Sequence, residues 1–268
     1  MNRIDQVNRQ LQQAGRKALV PYLPMGYPTP DQSLGLLHAL VDAGADMIEL
    51  GVPFSDPMAD GPVIQRATEI AIKKGMTLRK VIQTAKAFRQ TNSNTPLIMM
   101  TYINPIEAMG IDTFAELAAD AGIDAVLLVD VPPDEMHEYK KPLADASLQV
   151  IHFIAPTTTS ARVTHLTEHA QGFVYYVALK GVTGAASLDT DSVNTHVRHL
   201  KSSLKVPVFV GFGIHDGPTA KAISAEADGV IVGTALVNQL TSKADQPDQV
   251  LHDCVKTFIG SLRLALDS

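Results

Sequence analysis

The sequence predicts an α/β fold, a single (β/α)8 barrel domain over residues 1–268 with an extra N-terminal helix. Eight short apolar runs recur along the chain, and the segments between them have helical periodicity. Runs that are apolar on both faces are typical of parallel strands, which lie buried between two layers. Because eight such units occupy the chain without a Gly/Ser-rich or charged linker, they favour a closed barrel over two smaller domains.

The predicted elements follow the barrel alternation in chain order. The first is a short amphipathic helix within residues 1–20, and the helix in DQSLGLLHALVDAG is predicted to begin at a capping pair, Thr29 and Gln32. Strands are predicted at 18–26, 46–52, 96–102, 125–131, 149–156, 172–179, 207–213 and 229–236. The segments VDAGADMIEL, AADAGIDAVLL and AISAEADGVIV form a weak repeat from helix end to strand, with Gly44 and Gly122 placed as helix caps.

Composition narrows the possible partners. A net charge of −6, with no run of Lys or Arg and no Trp, argues against nucleic acid as a partner, so small molecules or another protein are expected.

The sequence also indicates where the protein acts. No apolar run approaches the roughly 20 residues that span a bilayer, and the N-terminus lacks the apolar stretch of a secretory signal. The single cysteine, Cys254, excludes an internal disulfide and is expected to be a buried structural thiol, which fits a cytoplasmic location.

The segment IELGVPFSDPMADG places two carboxylates, Glu49 and Asp60, around one turn. Glu49 interrupts an apolar strand, where an ionised carboxylate is costly unless it is paired or used. Gly51 and the prolines after it are expected to bend the chain, so that Asp60 returns toward the strand end. The alternative for Asp60 is a cap on the helix that begins near Pro62. Together the two acids suggest acid/base chemistry.

Polar and glycine-rich segments follow the other predicted strands, where barrel active sites lie. Tyr102 and Asn104 follow the third strand, Asp130 follows the fourth, and residues 175–183 surround the end of the sixth. The GFGI turn and the VGTALV segment offer backbone N–H groups to a phosphate, although GFGI alone also suits an ordinary strand-to-helix turn.

A histidine-containing string, a strand histidine and a strand-end lysine also suggest possible chemistry. The string HLTEH, His165 to His169, spells a zinc-peptidase pattern but falls on a predicted outer helix without a further ligand, so no metal site is expected. His152 is expected to be a core residue. Lys180 could form a Schiff base with a carbonyl substrate, but strand parity turns it away from the face of Tyr175.

With these features in place, the chain resembles the tryptophan synthase α subunit family over its whole length. The resemblance rests on IELGVPFSDPMADG, PLIMMTYINP, LLVDVPP, YYVALKGVTGA and GFGI. It implies a TIM barrel that cleaves indole-3-glycerol phosphate to indole and glyceraldehyde 3-phosphate without metal or organic cofactor. It also implies an α2β2 heterotetramer with a β subunit that carries pyridoxal phosphate.

The resemblance also implies residue roles. Glu49 would be the general acid/base, and Asp60 would hold the indole N–H. The pocket would be lined by Tyr22, Met100, Leu127, Tyr175, Thr183 and Phe212. Phosphate would be bound by Gly184, Gly213, Gly233 and Thr234. Candidate contacts with the β subunit are Pro53, Asp56, Asn104, Pro105 and Pro132.

Two loops, 53–62 and 181–190, have the Gly, Pro, Ser and Thr content of lids that close on a substrate. This family often has Ser and Arg before the lid glycine, whereas this chain has Ala178, Leu179 and Lys180. Because of this difference, the resemblance does not establish that the lid closes in the same way. The sequence leaves two alternatives open: a Schiff-base aldolase that uses Lys180, and a noncatalytic activating subunit.

Overall fold

The computed structural model describes residues 2–132, 135–159, 162–163, 170–177, 190–211 and 213–268. Within them, parallel strands form one nearly closed barrel surrounded by helices, which confirms the predicted fold class. The strands are β1 Ala18–Pro24, β2 Ile48–Gly51, β3 Leu97–Thr101, β4 Ala125–Leu128, β5 Gln149–Val150, β6 His152–Ile154, β7 Val174–Val177, β8 Val208–Gly211 and β9 Gly229–Val232. The α-helices are α1 Arg3–Ala14, α2 Ser33–Asp42, α3 Pro62–Lys73, α4 Leu78–Arg89, α5 Ile103–Met109, α6 Ile111–Asp120, α7 His137–Asp145, α8 Thr190–Ser203, α9 Gly217–Ile223, α10 Thr234–Thr241 and α11 Asp248–Asp267.

The predicted fifth strand, 149–156, is divided into β5 and β6. β5 pairs with β4 and β6 pairs with β7, while Ile151 between them donates its N–H to the carbonyl of Val126. The sheet order β5-β4-β3-β2-β1-β9-β8-β7-β6 therefore joins its two ends through the chain itself. The strands are shorter than the predicted runs because the apolar patterns continue into the turns that follow.

Two apolar clusters separate the inside of the barrel from its outer layer. The outer cluster lies between strands and helices and contains Ile48, Leu50 and Tyr176. The inner cluster contains side chains from the alternate strand positions, including Ile98 and Leu127. This alternation is the two-residue period of a strand, and it confirms that Glu49 and Tyr175 point to the face opposite Leu50 and Tyr176.

The N-terminal helix α1 closes the amino end of the barrel. Its Ile4 and Leu11 are buried and belong to the inner cluster, beside Phe173 and Phe209, whose rings stack at 4.2 Å between centroids. The Asn2 side chain caps the helix by accepting the N–H of Ile4 at 2.9 Å. The predicted extra helix is therefore part of the core.

The weak sequence repeat has a structural cause that the sequence analysis did not identify. Each repeat places an aspartate, Asp46, Asp124 or Asp228, one or two positions before a barrel strand. Each aspartate forms two hydrogen bonds with one residue of the neighbouring strand. Its backbone N–H donates to the carbonyl of that residue, and its carboxylate accepts the N–H of the same residue at 2.8 or 2.9 Å. The three partner residues are Leu19, Leu97 and Val208.

A basic side chain neutralises each of these carboxylates. Arg263 contacts Asp46 at 3.0 Å, Arg89 contacts Asp124 at 2.9 Å, and Lys201 contacts Asp228 at 2.6 Å. Asp124 also pairs with Arg3 of α1 at 2.9 Å. These charge-assisted hydrogen bonds fix strand register at the amino end of the barrel and attach α1 and α4 to it.

Helix termini agree with the predictions in part. Gly44 and Gly122 have φ of 97° and 74°, so they adopt the left-handed conformation expected after α2 and α6. The predicted capping pair is wrong: Thr29 precedes a 3-10 turn, Pro30–Gln32, and its hydroxyl contacts the Gln32 side chain instead of a backbone N–H. The 3-10 turn that begins at Pro30 separates Thr29 from the first residue of α2, Ser33.

Other predictions concern buried residues and membranes. Cys254 is half-buried, with Sγ 3.8 Å from the carbonyl oxygen of Gln239, so the expectation of a buried thiol was too strong. His152 is buried, as expected. No helix in the described part of the chain is long and apolar enough to cross a membrane.

The Asp124 cluster generates a stability prediction. Asp124→Ala leaves Arg89 and Arg3 without their carboxylate and Leu97 without an acceptor, so the free energy of unfolding should fall by about 3–5 kcal/mol. Asp120→Ala is the matched control, because its exposed pair with Lys86 should contribute no more than about 1 kcal/mol. Urea denaturation followed by circular dichroism measures both; equal losses would contradict the special role of Asp124.

Candidate active site

Glu49 lies inside the barrel near its carboxyl end. In the parallel register it pairs with Tyr22 on β1 and Ile98 on β3, so these three side chains share the inner face. The residue is 2% exposed, and its Oε2 has no hydrogen-bond partner among the described residues. Burial, and secondarily the charge of Asp60, raises the pKa of the Glu49 carboxyl to about 8. The side chain therefore carries a proton at neutral pH.

Asp60 lies in the loop between β2 and α3, as predicted. Its backbone N–H contacts the carbonyl of Pro57 at 3.1 Å, and its carbonyl accepts Gln65 Nε2 at 2.7 Å. The capping alternative is not observed, because Gly61 is the N-cap of α3 and makes no side-chain cap bond. Burial raises the pKa of Asp60 to about 6, and a hydrogen bond from Tyr102 opposes that shift. Asp60 is therefore mainly ionised at neutral pH.

Tyr102 has a role at the site that the sequence analysis missed. Its hydroxyl lies 3.3 Å from Asp60 Oδ2 and accepts the N–H of Ala59 at 3.1 Å. Its ring packs against Phe54 with 5.2 Å between centroids. The sequence signal for this role was a tyrosine directly after a buried strand, but its position in the sequence did not show which loop the hydroxyl would contact.

Two further tyrosines border the acids, and each lies over a strand glycine. A Cβ atom on Gly51 would be 2.2 Å from the hydroxyl of Tyr22, and one on Gly211 would be 2.2 Å from the hydroxyl of Tyr175. Gly51 is thus a strand residue that makes space for a ring, and the prediction that it bends the chain is wrong. Burial and the nearby charges of Glu49 and Asp60 raise the pKa of both phenols.

The predicted apolar wall is present in part. Met100 pairs in register with Gly51 and Leu127, and Leu127 is fully buried in the inner cluster. Phe212 and Thr183 lie outside the described residues, as does Gly184. Lys180 and the HLTEH segment also lie outside them, so their predicted positions stay predictions.

The described part of the phosphate turn lies beside Tyr22. Gly213 has a φ of 75°, and Gly233 is the N-cap of α10, which begins at Thr234. A Cβ on Gly233 would be 3.4 Å from Tyr22 Cδ1, so the Tyr22 ring lies between the N-terminus of α10 and β2, the strand that contains Glu49. The free N–H groups of a helix start favour an anion at this position.

The predicted partner contacts lie on loops at the same end of the barrel but differ in exposure. Asp56 and Asn104 are exposed, Pro105 and Pro132 are half-buried, and Pro53 is buried and offers little surface. Met58, which was not predicted, is 83% exposed on the Asp60 loop. An exposed methionine beside polar residues is typical of a protein-binding surface.

Comparisons with known proteins agree with this geometry. The family model described as tryptophan synthase alpha chain matches residues 9–264. Tryptophan synthase alpha chains from Marinobacter nauticus and Ralstonia nicotianae are each 49% identical, over 100% of this chain and 99% and 100% of theirs. The crystal structure of tryptophan synthase subunit alpha from Legionella pneumophila superposes with a TM-score of 0.92 at 39% identity, covering 100% of this chain and 99% of that one.

Two acids at the mouth of a parallel barrel, bordered by tyrosines and a helix N-terminus, thus occur in a chain that these proteins match from end to end. The chain belongs to the tryptophan synthase alpha chain family, whose lyases cleave indole-3-glycerol phosphate.

Proposed function

We propose that Glu49 is the general acid/base of this lyase reaction and that Asp60 stabilises positive charge on the indole ring. The observation that supports this assignment is the unlike state of two neighbouring acids, one with a pKa near 8 and one near 6. Pairs of carboxyls with separated pKa values commonly divide acid and anion roles.

Cleavage of the bond between indole C3 and the glycerol carbon needs a proton on C3 and loss of a proton from the adjacent hydroxyl. Glu49, protonated in the resting site, delivers the first proton and then, as a carboxylate, takes the second. Asp60 accepts the ring N–H and stabilises the charge that develops when C3 is protonated. This chemistry uses no metal or organic cofactor, and we propose that none is needed.

The surrounding residues bind the rest of the substrate. Met100, Leu127, Tyr22 and Tyr175 contact the indole, and the N–H groups at Gly213, Gly233 and Thr234 bind the phosphate. Thr183, Phe212 and Gly184 complete these two surfaces in the proposal. Because backbone N–H groups supply the phosphate contacts, most side chains at these turns can vary without loss of binding.

We further propose that the chain acts in the cytoplasm with a tryptophan synthase β subunit that carries pyridoxal phosphate, as an α2β2 assembly. The proposed contact surface is the rim formed by Asp56, Met58, Asn104, Pro105 and Pro132. Its exposed methionine and polar neighbours support docking of a protein over the mouth.

Glu49→Gln should lower kcat by about 10²- to 10⁴-fold, because the amide cannot shuttle a proton. Indole release from indole-3-glycerol phosphate measures the loss, and circular dichroism verifies that the variant is folded. Glu69→Gln, on the exposed face of α3, is the matched control and should keep the rate of the unchanged chain. Near-normal indole release by Glu49→Gln would refute the assignment.

The pH dependence of kcat/KM should be bell-shaped. Asp60 must be ionised, so activity should fall as pH drops below about 6; Glu49 must be protonated, so activity should fall as pH rises above about 8. Steady-state kinetics across this range give both limbs. A plateau that extends unchanged from about pH 5 to about pH 9 would contradict both assignments.

Asp56→Lys should weaken association with a β subunit by about tenfold or more, since it reverses a charge at the proposed rim. Size-exclusion chromatography and titration calorimetry of the purified subunits measure the interaction. Asp245→Lys, an exposed charge reversal after α10, is the matched control and should bind normally. If the unchanged chain and the β subunit elute separately when mixed, the proposed partnership is wrong.

A further inference from the structure

Tyr102 connects three loops at the mouth of the barrel. It follows β3, its hydroxyl contacts Ala59 and Asp60 in the loop after β2, and the next residue, Ile103, donates its N–H to Asp130 Oδ1 at 2.9 Å. Asp130 follows β4, so hydrogen bonds at two adjacent residues, Tyr102 and Ile103, attach the loops after β2 and β4 to the end of β3. Tyr102 itself is buried.

The donor and acceptor roles at the Tyr102 hydroxyl are determined by its two neighbours. The N–H of Ala59 can only donate, so the phenol oxygen accepts it. An ionised carboxylate can only accept, so the phenol O–H donates to Asp60 Oδ2. At 3.3 Å this contact is long for an O–H···O bond, as catalytic hydrogen bonds often are before substrate binds.

We propose that Tyr102 is a positioning residue for Asp60: its hydroxyl holds Oδ2, so that Oδ1 is left to accept the ring N–H of the substrate. This inference rests on the proposed function of Asp60. The Asp60 backbone is already fixed by Pro57 and Gln65, so the side-chain torsions are the freedom that Tyr102 removes. A carboxylate held in one orientation needs less reorganisation when charge develops on the substrate.

The ring and the hydroxyl of Tyr102 have separable effects. The ring packs on Phe54 and stabilises the loop, whereas the hydroxyl alone contacts Asp60. The hydroxyl also favours the ionised carboxylate, since it donates to it. Removing only the oxygen should therefore change Asp60 chemistry while the packing of the loop remains.

Tyr102→Phe tests the inference. The expected result is a loss of about tenfold or more in kcat/KM for indole-3-glycerol phosphate, mostly in kcat, since the contact to a charged group acts as the transition state forms. Tyr27→Phe is the matched control, because Tyr27 is also buried and donates its hydroxyl to Thr241 Oγ1 at 2.8 Å, and neither acid is its hydrogen-bond partner in the described structure. The control should keep kcat/KM within about twofold of the unchanged chain.

The pH profile separates a positioning role from a merely structural one. Without the Tyr102 hydrogen bond, the pKa of Asp60 should rise above its value of about 6, so the acidic limb should move to higher pH. Carbon-13 NMR of labelled aspartate carboxyls gives the same titration without turnover. A rate and an Asp60 titration like those of Tyr27→Phe would overturn the inference.

Asp60→Asn distinguishes failure of this inference from failure of the proposed function. If Asp60→Asn keeps normal turnover, Asp60 does not stabilise the transition state, and the proposed function fails together with the inference. If Asp60→Asn is crippled while Tyr102→Phe matches Tyr27→Phe in rate and titration, the positioning inference alone fails. A crippled Asp60→Asn with a slow, shifted Tyr102→Phe supports both.

Discussion

The burial of the Glu49 carboxyl inside the barrel is the constraint on which the site depends. Parallel register places Glu49 beside Tyr22 and Ile98 on the inner face, where its Oε2 has no hydrogen-bond partner among the described residues. In the unfolded chain its pKa has the ordinary value of 4.5, whereas in the folded chain it is about 8. Between pH 4.5 and about pH 8, Glu49 carries a proton in the folded chain but not in the unfolded chain. The free energy of unfolding therefore decreases as pH rises through this range, and the full decrease is reached above about pH 8.

The amino end of the barrel uses carboxylates in the opposite way. Asp46, Asp124 and Asp228 each accept a strand N–H and pair with a basic side chain, so these contacts stabilise register, although burial still raises the pKa of Asp46. Glu49 lacks such partners, and its charged form is disfavoured. The same functional group thus supports the fold at one end and, in the proposed mechanism, provides a proton donor at the other, as expected for barrels whose two faces separate stability from chemistry.

Local patterns in the sequence were sufficient for the barrel, the inward direction of Glu49 and the caps at Gly44 and Gly122, because each depends on neighbours within a few positions. Contacts between distant segments were not predictable in this way. The space that Gly51 provides for Tyr22, the division of the fifth strand at Ile151, and the contact of Tyr102 with Asp60 all depend on strand register and loop return. The repeated aspartates were visible in the sequence, but only the strand pairing shows what they bind.

The two acids differ in their placement on the fold as well as in charge. Glu49 lies within a strand that is paired on both sides, so its backbone cannot move without breaking the barrel. Asp60 lies on a loop, and its orientation depends on Gln65 and on a long hydrogen bond from Tyr102. In the proposed mechanism, Glu49 must reach two atoms of the substrate from one position, whereas Asp60 must contact only the ring N–H as charge develops on the ring. The placement of one acid on a strand and the other on a loop therefore matches the different demands of their proposed roles.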